Sequence, residues 1–273
     1  KVAFQYNFIT VPGLIDNSNF PTHVSELSNL ISNAQERGDT MVVLDNVGYG
    51  ATVNTSIIAA ATRDTSYAAS YYPWIMTLNP NNGNQVWVPP STLIPGVYAF
   101  SDSVSDPWIA PAGVNRGVIG TAVRAERQLS KNTRDDLYKG NVNPIATFQG
   151  SGVTVFGQKT LQKKRSALDR INVRRLLIEL KSFISQVADT LVFEPNNEIT
   201  RNNFLAQVNP YLSSVQQRQG LTQFRVVMDE SNNTPTTIDN NELIGAIYLQ
   251  PTRTAEFIIL DFNVLPTGAT FPS

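Results

Sequence analysis

Apolar residues along this chain recur at two spacings, and the switches between them lay out the elements. Residues 7–13 read as a strand that ends in a turn at Pro12 and Gly13. Val24, Leu27, Leu30, Ile31 and Ala34 follow helical spacing, with Pro21 and Thr22 at the entry and Gly38 at the exit. Met41-Val42-Val43-Leu44-Asp45 is a short buried strand. After a turn at residues 46–50, Val53, Ile57, Ile58 and Ala61 predict a second helix. Residues 70–78 and 86–89 are further strands, separated by a turn cluster at 79–84. This strand–helix–strand rhythm predicts an α/β layer with a substantially parallel sheet.

Residues 105–150 are dominated by proline, glycine and polar side chains, with strand-like pieces at 117–120 and 144–148. Apolar residues keep recurring there, so a long, structured connection is expected. From Gly152 the pattern changes. Residues 153–156 form a short strand, and Val173, Leu176, Leu177, Leu180, Phe183, Ile184, Val187 and Leu191 make one long helical stripe. A second helix spans roughly 200–217, where Pro210 is expected to break or bend it and Asn209 to cap a restart. Residues 224–229, 243–249 and 256–264 then read as strands, with 232–235 as a loop. The expected fold is α/β: a strand–helix alternating domain over 1–160, then a compact mixed α+β domain over 161–273.

At 273 residues the chain has enough length for two such domains and needs no covalent staples. It holds no cysteine, which excludes disulfides, thiolate nucleophiles and Cys-based zinc sites. No apolar run reaches 18 residues. The chain starts at Lys1, and the expectation is a truncation or processing point there. Charged residues make up 16%, while asparagine occurs 26 times. An uncharged polar surface suits extensive contact with neighbours, because fewer charges need desolvating, although a composition without such meaning is equally open. The net charge of −1 is unevenly spread. Residues 1–105 carry three basic and seven acidic side chains, and residues 116–175 carry thirteen basic and four acidic ones.

Asp106-Pro107-Trp108-Ile109-Ala110-Pro111-Ala112-Gly113-Val114-Asn115-Arg116-Gly117 is rigid, irregular and poor in catalytic groups. It resembles the Pro-Trp-x-Ala-Pro-Ala-Gly-x-Asn-Arg-Gly signature of contractile tail sheath proteins. Four further landmarks follow in the family's order: Gly157-Gln158-Lys159-Thr160-Leu161, Ile171-Asn172-Val173-Arg174-Arg175-Leu176-Leu177, Phe193-Glu194-Pro195-Asn196-Asn197 and Ala255-Glu256-Phe257-Ile258-Ile259. Together they cover about residues 106–264. The resemblance implies a subtilisin-like layout in the first domain and a C-terminal domain that lies against a tail tube. It implies no enzymatic activity and no cofactor. The implied partners are other sheath subunits, in hexameric rings stacked helically, and the tail tube protein, with no nucleic acid and no membrane. The implied location is the virion tail, after synthesis in the host cytoplasm. Family subunits have more chain before the position of Lys1, including an arm that pairs with a neighbour, so this piece alone is expected to be monomeric. The family often has tryptophan where this chain has Phe204.

Candidate chemistry outside that resemblance is thin. His23 is the single histidine, and beside a helix start it reads as a local hydrogen-bonding residue. No Gly-x-Ser-x-Gly elbow accompanies it. Residues 152–160 imitate a phosphate loop, but Gln158 stands where the lysine is needed, and Val153-Thr154-Val155-Phe156 is a strand. Asn46-Val47-Gly48-Tyr49-Gly50 sits between strand and helix, where nucleotide-binding turns occur, and supports the alternative of a small-ligand-binding or enzymatic α/β domain. Asp135-Asp136 reads as a solvated acidic turn rather than a metal site.

Two candidates for contact remain. Lys159, Lys163, Lys164, Arg165, Arg170, Arg174 and Arg175 form a basic cluster around a helix start. Cations there oppose the macrodipole, which points to a partner: an acidic strip on the tube by resemblance, or nucleic acid as the rival. A solvated helix end is the plain alternative. The last strand, with Glu256, Phe257, Ile258, Ile259, Leu260 and Phe262, can be donated to a neighbouring subunit or pair within its own domain.

Overall fold

The computed structural model of the chain describes residues 6–256. From its start run β1 (Phe8–Ile15), α1 (Pro21–Arg37), β2 (Met41–Asp45), α2 (Val53–Ala60), β3 (Ala68–Tyr72), β4 (Ile75–Leu78), β5 (Gln85–Val88) and α3 (Pro90–Val104). Then come β6 (Ala122–Ala125), α4 (Lys131–Lys139), β7 (Val142–Phe148), β8 (Gly152–Val155), α5 (Ile171–Asp189), α6 (Glu198–Gln217), β9 (Leu221–Val227), α7 (Pro235–Asp239) and β10 (Ala246–Pro251).

A five-stranded sheet in the order β1-β2-β3-β7-β8 carries the first part. Its first four strands are parallel, and β8 returns antiparallel to β7. Parallel neighbours need a crossover, which α1 and α2 supply for the first two steps. Side chains alternate along a strand, so β2 sends Met41 and Val43 to one face and Val42 and Leu44 to the other. The first pair packs with Ala69, Tyr71 and Ile145, and with Ile94, Val97 and Tyr98 of α3. The second pair packs with Ala68, Tyr72 and Val142, and with Leu27, Ile31 and Ala34 of α1 and Leu137 of α4. Burial on both faces explains why β2 shows no apolar–polar alternation.

A small antiparallel sheet, β5-β4-β6, lies beside this layer, and β9 with β10 forms a two-stranded antiparallel sheet. A third core joins Leu176, Leu180 and Val187 of α5 to Phe204, Val208, Leu212 and Val215 of α6, with Leu221, Met228 and Trp108. Helix α5 serves two cores, because Ile171 and Ile178 enter the first one.

Several sequence expectations need correction. Helix α3 was hidden by Pro89, Pro90 and Pro95, although Pro90 occupies the first turn, where no amide partner is lost. Its buried face runs Ile94, Val97, Tyr98, Ser101. Asp135 and Asp136 belong to α4, capped by Ser130, and not to a turn. Pro210 does not restart α6, which runs unbroken from its Asn197 cap. Pro210 and Ala206, whose carbonyl loses its amide partner, both face water, while Val208 and Leu212 anchor the helix on either side. Part of the expected 232–235 loop starts α7, capped by Thr234. The strand expected at 256–264 has only Glu256 inside the described residues; Phe257, Ile258, Ile259, Leu260 and Phe262 lie outside them.

Candidate functional site

The Asp106–Gly117 signature is a clasp between the sheet layer and the third core. Trp108 is 4% exposed in that core, and its indole N–H donates to the Arg218 carbonyl at 3.0 Å. Arg218 returns over the ring at 4.7 Å and pairs with Asp106 at 2.6 Å. At the other end the segment pairs with β8. Gly113 N–H donates to the Val155 carbonyl at 2.9 Å, Val155 N–H to Gly117 at 2.7 Å, and Ile119 N–H to Val153 at 2.9 Å. A Cβ on Gly117 would stand 2.5 Å from the Val155 carbonyl oxygen, so only glycine fits this approach.

The turn at 157–161 is closed in the same manner. The buried Asn143 side chain donates to the Ser70 and Lys159 carbonyls at 3.0 and 2.8 Å and accepts from Lys159 N–H at 2.6 Å. The Thr160 hydroxyl donates to Leu168 at 3.0 Å, and Leu161 N–H to Ala68 at 2.9 Å. With Lys159 and Leu161 amides bound inside the chain, the segment cannot cradle a phosphate with them.

The seven clustered cations part company. Lys163, Lys164 and Arg165 are exposed on a loop pinned from behind. Lys163 N–H donates to Asp64 at 2.9 Å, and the Gln162 amide donates to the Lys164 carbonyl at 2.7 Å and the Ser166 hydroxyl at 2.6 Å. Lys159 donates to Asn141 at 3.3 Å and lies 4.7 Å from the centre of the Tyr138 ring; burial, and then Arg170, hold its pKa below the ordinary lysine value. Arg170 binds both oxygens of Glu256 at 2.6 and 2.9 Å and lies 3.0 Å from Asp169.

Arg174 and Arg175, expected with the others as a contact for a partner or as a solvated helix end, are instead buried within the chain, at 5% and 4% exposure. Arg174 donates to the carbonyl and hydroxyl oxygens of Ser66 and sits 3.9 Å over the Tyr67 ring. Among the described residues no carboxylate pairs with it, and burial lowers its pKa below that of an ordinary guanidinium. Arg175 pairs with Asp102 of α3 and lies 4.8 Å over Tyr98. The Tyr98 hydroxyl is 2.5 Å from that of Tyr71, and burial raises both phenols, Tyr98 to about 12. The internal partners Ser66, Asp102 and Glu256 escaped sequence reading. A usable signal was the setting of the two arginines, between Val173 and Leu176 on an apolar stripe.

The turn at 46–50 is filled by the protein itself. Trp74 donates to the Val47 carbonyl at 3.0 Å, Arg127 to the Gly50 carbonyl at 3.0 Å, and Gly50 N–H donates to Glu126 at 3.0 Å. The Asn46 amide is turned inward onto Ser56 at 2.8 and 2.9 Å. The turn follows the carboxyl end of β2, and these bonds tie its backbone and side-chain groups to the chain itself. Just before it, Asp45 accepts from Ser91 N–H at 3.0 Å and the Ser91 hydroxyl at 2.5 Å, at the start of α3. Burial outweighs those hydrogen bonds and pushes its pKa up to about 6. His23 accepts a hydrogen bond from Ile15 N–H through Nδ1 at 3.1 Å and stacks on Phe20, a local structural role. No group of three or more metal-ligating side chains occurs among the described residues.

The family descriptions that match are "Phage tail sheath protein central domain" over residues 2–161 and "Phage tail sheath C-terminal domain" over 163–265. The tail sheath protein of Vibrio phage KVP40 is 43% identical over 190 residues, which are 70% of this chain and 28% of that protein. That of Enterobacteria phage T4 is 40% identical over 185 residues, 68% of this chain and 28% of its own length. That of Salmonella phage ViI is 31% identical over 254 residues, 90% and 40% respectively. The chain therefore spans well under half the length of these relatives. Among solved structures, the PVC sheath complex of an extracellular contractile injection system, in the contracted state, superposes with a TM-score of 0.78 at 27% identity, covering 94% of this chain and 70% of that one. The match to both descriptions, the identities and the superposition agree: the chain belongs to the phage tail sheath family.

Proposed function

We propose that this chain is part of a structural subunit that polymerises around a tail tube and contracts to drive the tube through a host envelope. Family membership across both halves of the chain carries the reading. Copies would form hexameric rings stacked helically in the virion tail. Contacts along the axis are then heterologous and non-closing, which is how a ring stack becomes a helix. The extended sheath is metastable, and contraction releases free energy held in subunit contacts, with each subunit moving mainly as a rigid body. No nucleotide enters this scheme, and the self-filled turn at 46–50 supports that.

In this reading the two parts meet near residue 160. The first has the subtilisin-like layout, and 161–273 faces the tube. The outward cations Lys163, Lys164 and Arg165 are the contacts left to offer an acidic tube or neighbouring subunit, since Arg174 and Arg175 are engaged inside. The segment from Glu256 onward is the strand to exchange. Among the described residues β9 and β10 pair only with each other, and an outer edge of such a two-stranded sheet suits the receipt of a strand from a neighbour.

Negative-stain electron microscopy of the full-length gene product, beside this piece at matched concentration, tests the reading. Tubular polymers from the full chain, with the piece remaining monomeric, are the expected result. Dispersed particles from both, at every salt concentration, would overturn it.

A further inference from the structure

Helix α5 packs on two cores, yet apolar contacts alone hold neighbouring elements in place without fixing their orientation sharply. Most polar cross-links lie in the first turn and a half of α5; one more, farther along and exposed, runs from the Lys181 ammonium to the Arg37 carbonyl of α1 at 2.9 Å. Asn172 donates to the Trp108 carbonyl at 3.3 Å, Arg174 reaches Ser66 and Tyr67 ahead of β3, and Arg175 reaches Asp102 and Tyr98 in α3. Consecutive helical residues project about 100° apart, so the two guanidiniums diverge and land on different elements. One anchor leaves rotation about itself free, whereas two divergent anchors remove it.

Stability alone does not account for this arrangement. Cations at a helix N-terminus oppose the macrodipole, and buried ions lose solvation that methionine or leucine would not. Arg175 Nη1 and Asp102 Oδ1 also lack hydrogen-bond partners, so the pair is not saturated. What the pair supplies is a defined direction.

We propose that Arg174 and Arg175 form a two-armed joint that couples the sheet layer to the α5–α6 core, so that a displacement imposed on one is delivered to the other. The sheath reading gives this joint its purpose, but the coupling is a property of the chain by itself.

The absence of cysteine makes a direct test simple. Ser32→Cys on α1 and Asn203→Cys on α6, both exposed, would carry the two spin labels for distance measurement. The unmodified joint should give one narrow distance peak and a single urea transition. Arg174→Met with Arg175→Met should broaden the peak and split the transition in two. An unchanged peak with one transition would overturn the joint. Asp102→Asn, which removes only one arm's charge partner, should broaden the peak less; if the double variant does not fold, an unchanged peak with Asp102→Asn overturns the proposal. Broadening by Lys163→Met, Lys164→Met and Arg165→Met together would also overturn it, because those side chains face solvent. Every readout uses the dilute chain, so the outcome is independent of whether copies polymerise.

Discussion

Lys163, Lys164 and Arg165 end nine residues before Arg174 and Arg175 begin, yet the two groups have opposite fates. The first three face water from a pinned loop, and the second two are sealed inside the subunit. The difference lies in their neighbours. Around 163–165 the chain offers Gln162 and Ser166, whereas Arg174 and Arg175 lie between residues that must be buried for α5 to pack. A long aliphatic stem lets arginine follow that apolar face and deliver its charge at the far end. Local charge density therefore says little about a surface until the hydrophobic period through it has been read.

Arg175→Ala should produce the largest change, because it leaves the Asp102 carboxylate without its cation and opens space under Tyr98. A loss of about 3 kcal/mol in urea unfolding is expected. Arg174→Ala strands no opposite charge, only the oxygens of Ser66, and should cost less, about 2 kcal/mol. Equal costs for the two would break the distinction between a paired and an unpaired buried cation.

Asp45 extends the comparison to a buried anion. Its folded pKa of about 6 lies above the ordinary aspartate value of 3.8, so the native state holds the proton more tightly than the unfolded chain does. Its contribution to stability is full below the lower value and is lost as pH rises toward the higher one. Asp45→Asn should therefore match the parent near pH 4 and exceed it by about 2 kcal/mol at pH 7.5 in paired urea titrations. The smallest effect belongs to Lys163→Gln, Lys164→Gln and Arg165→Gln together, which should change unfolding stability by less than about 0.5 kcal/mol. On the function proposed above, the same triple variant made in the full-length gene product should weaken polymer formation, as scored by electron microscopy.

The parallel layer was legible because α1 and α2 follow helical spacing, β2 is one short apolar run, and clear stop signals such as Gly38 separate them. Helix α3 was not, since three prolines obscured a face that only tertiary burial defines. The unbroken course of α6 was equally hidden: whether Pro210 ends a helix depends on which side of it meets water. In the basic segment, sequence showed where the charge lies but not where it points. The partners that decide this, Ser66, Asp102 and Glu256, stand from 73 to 108 residues away along the chain.

The pairing of the 113–119 segment with β8 also bears on safety from misassembly. A strand at a sheet margin is a template for any other extended chain, and copies crowded along a tail would meet one another constantly. By closing that margin with its own backbone, the subunit leaves less of the sheet open to indiscriminate pairing. In the polymer proposed above, order would then follow from a few permitted contacts, because an easy wrong one has been occupied in advance.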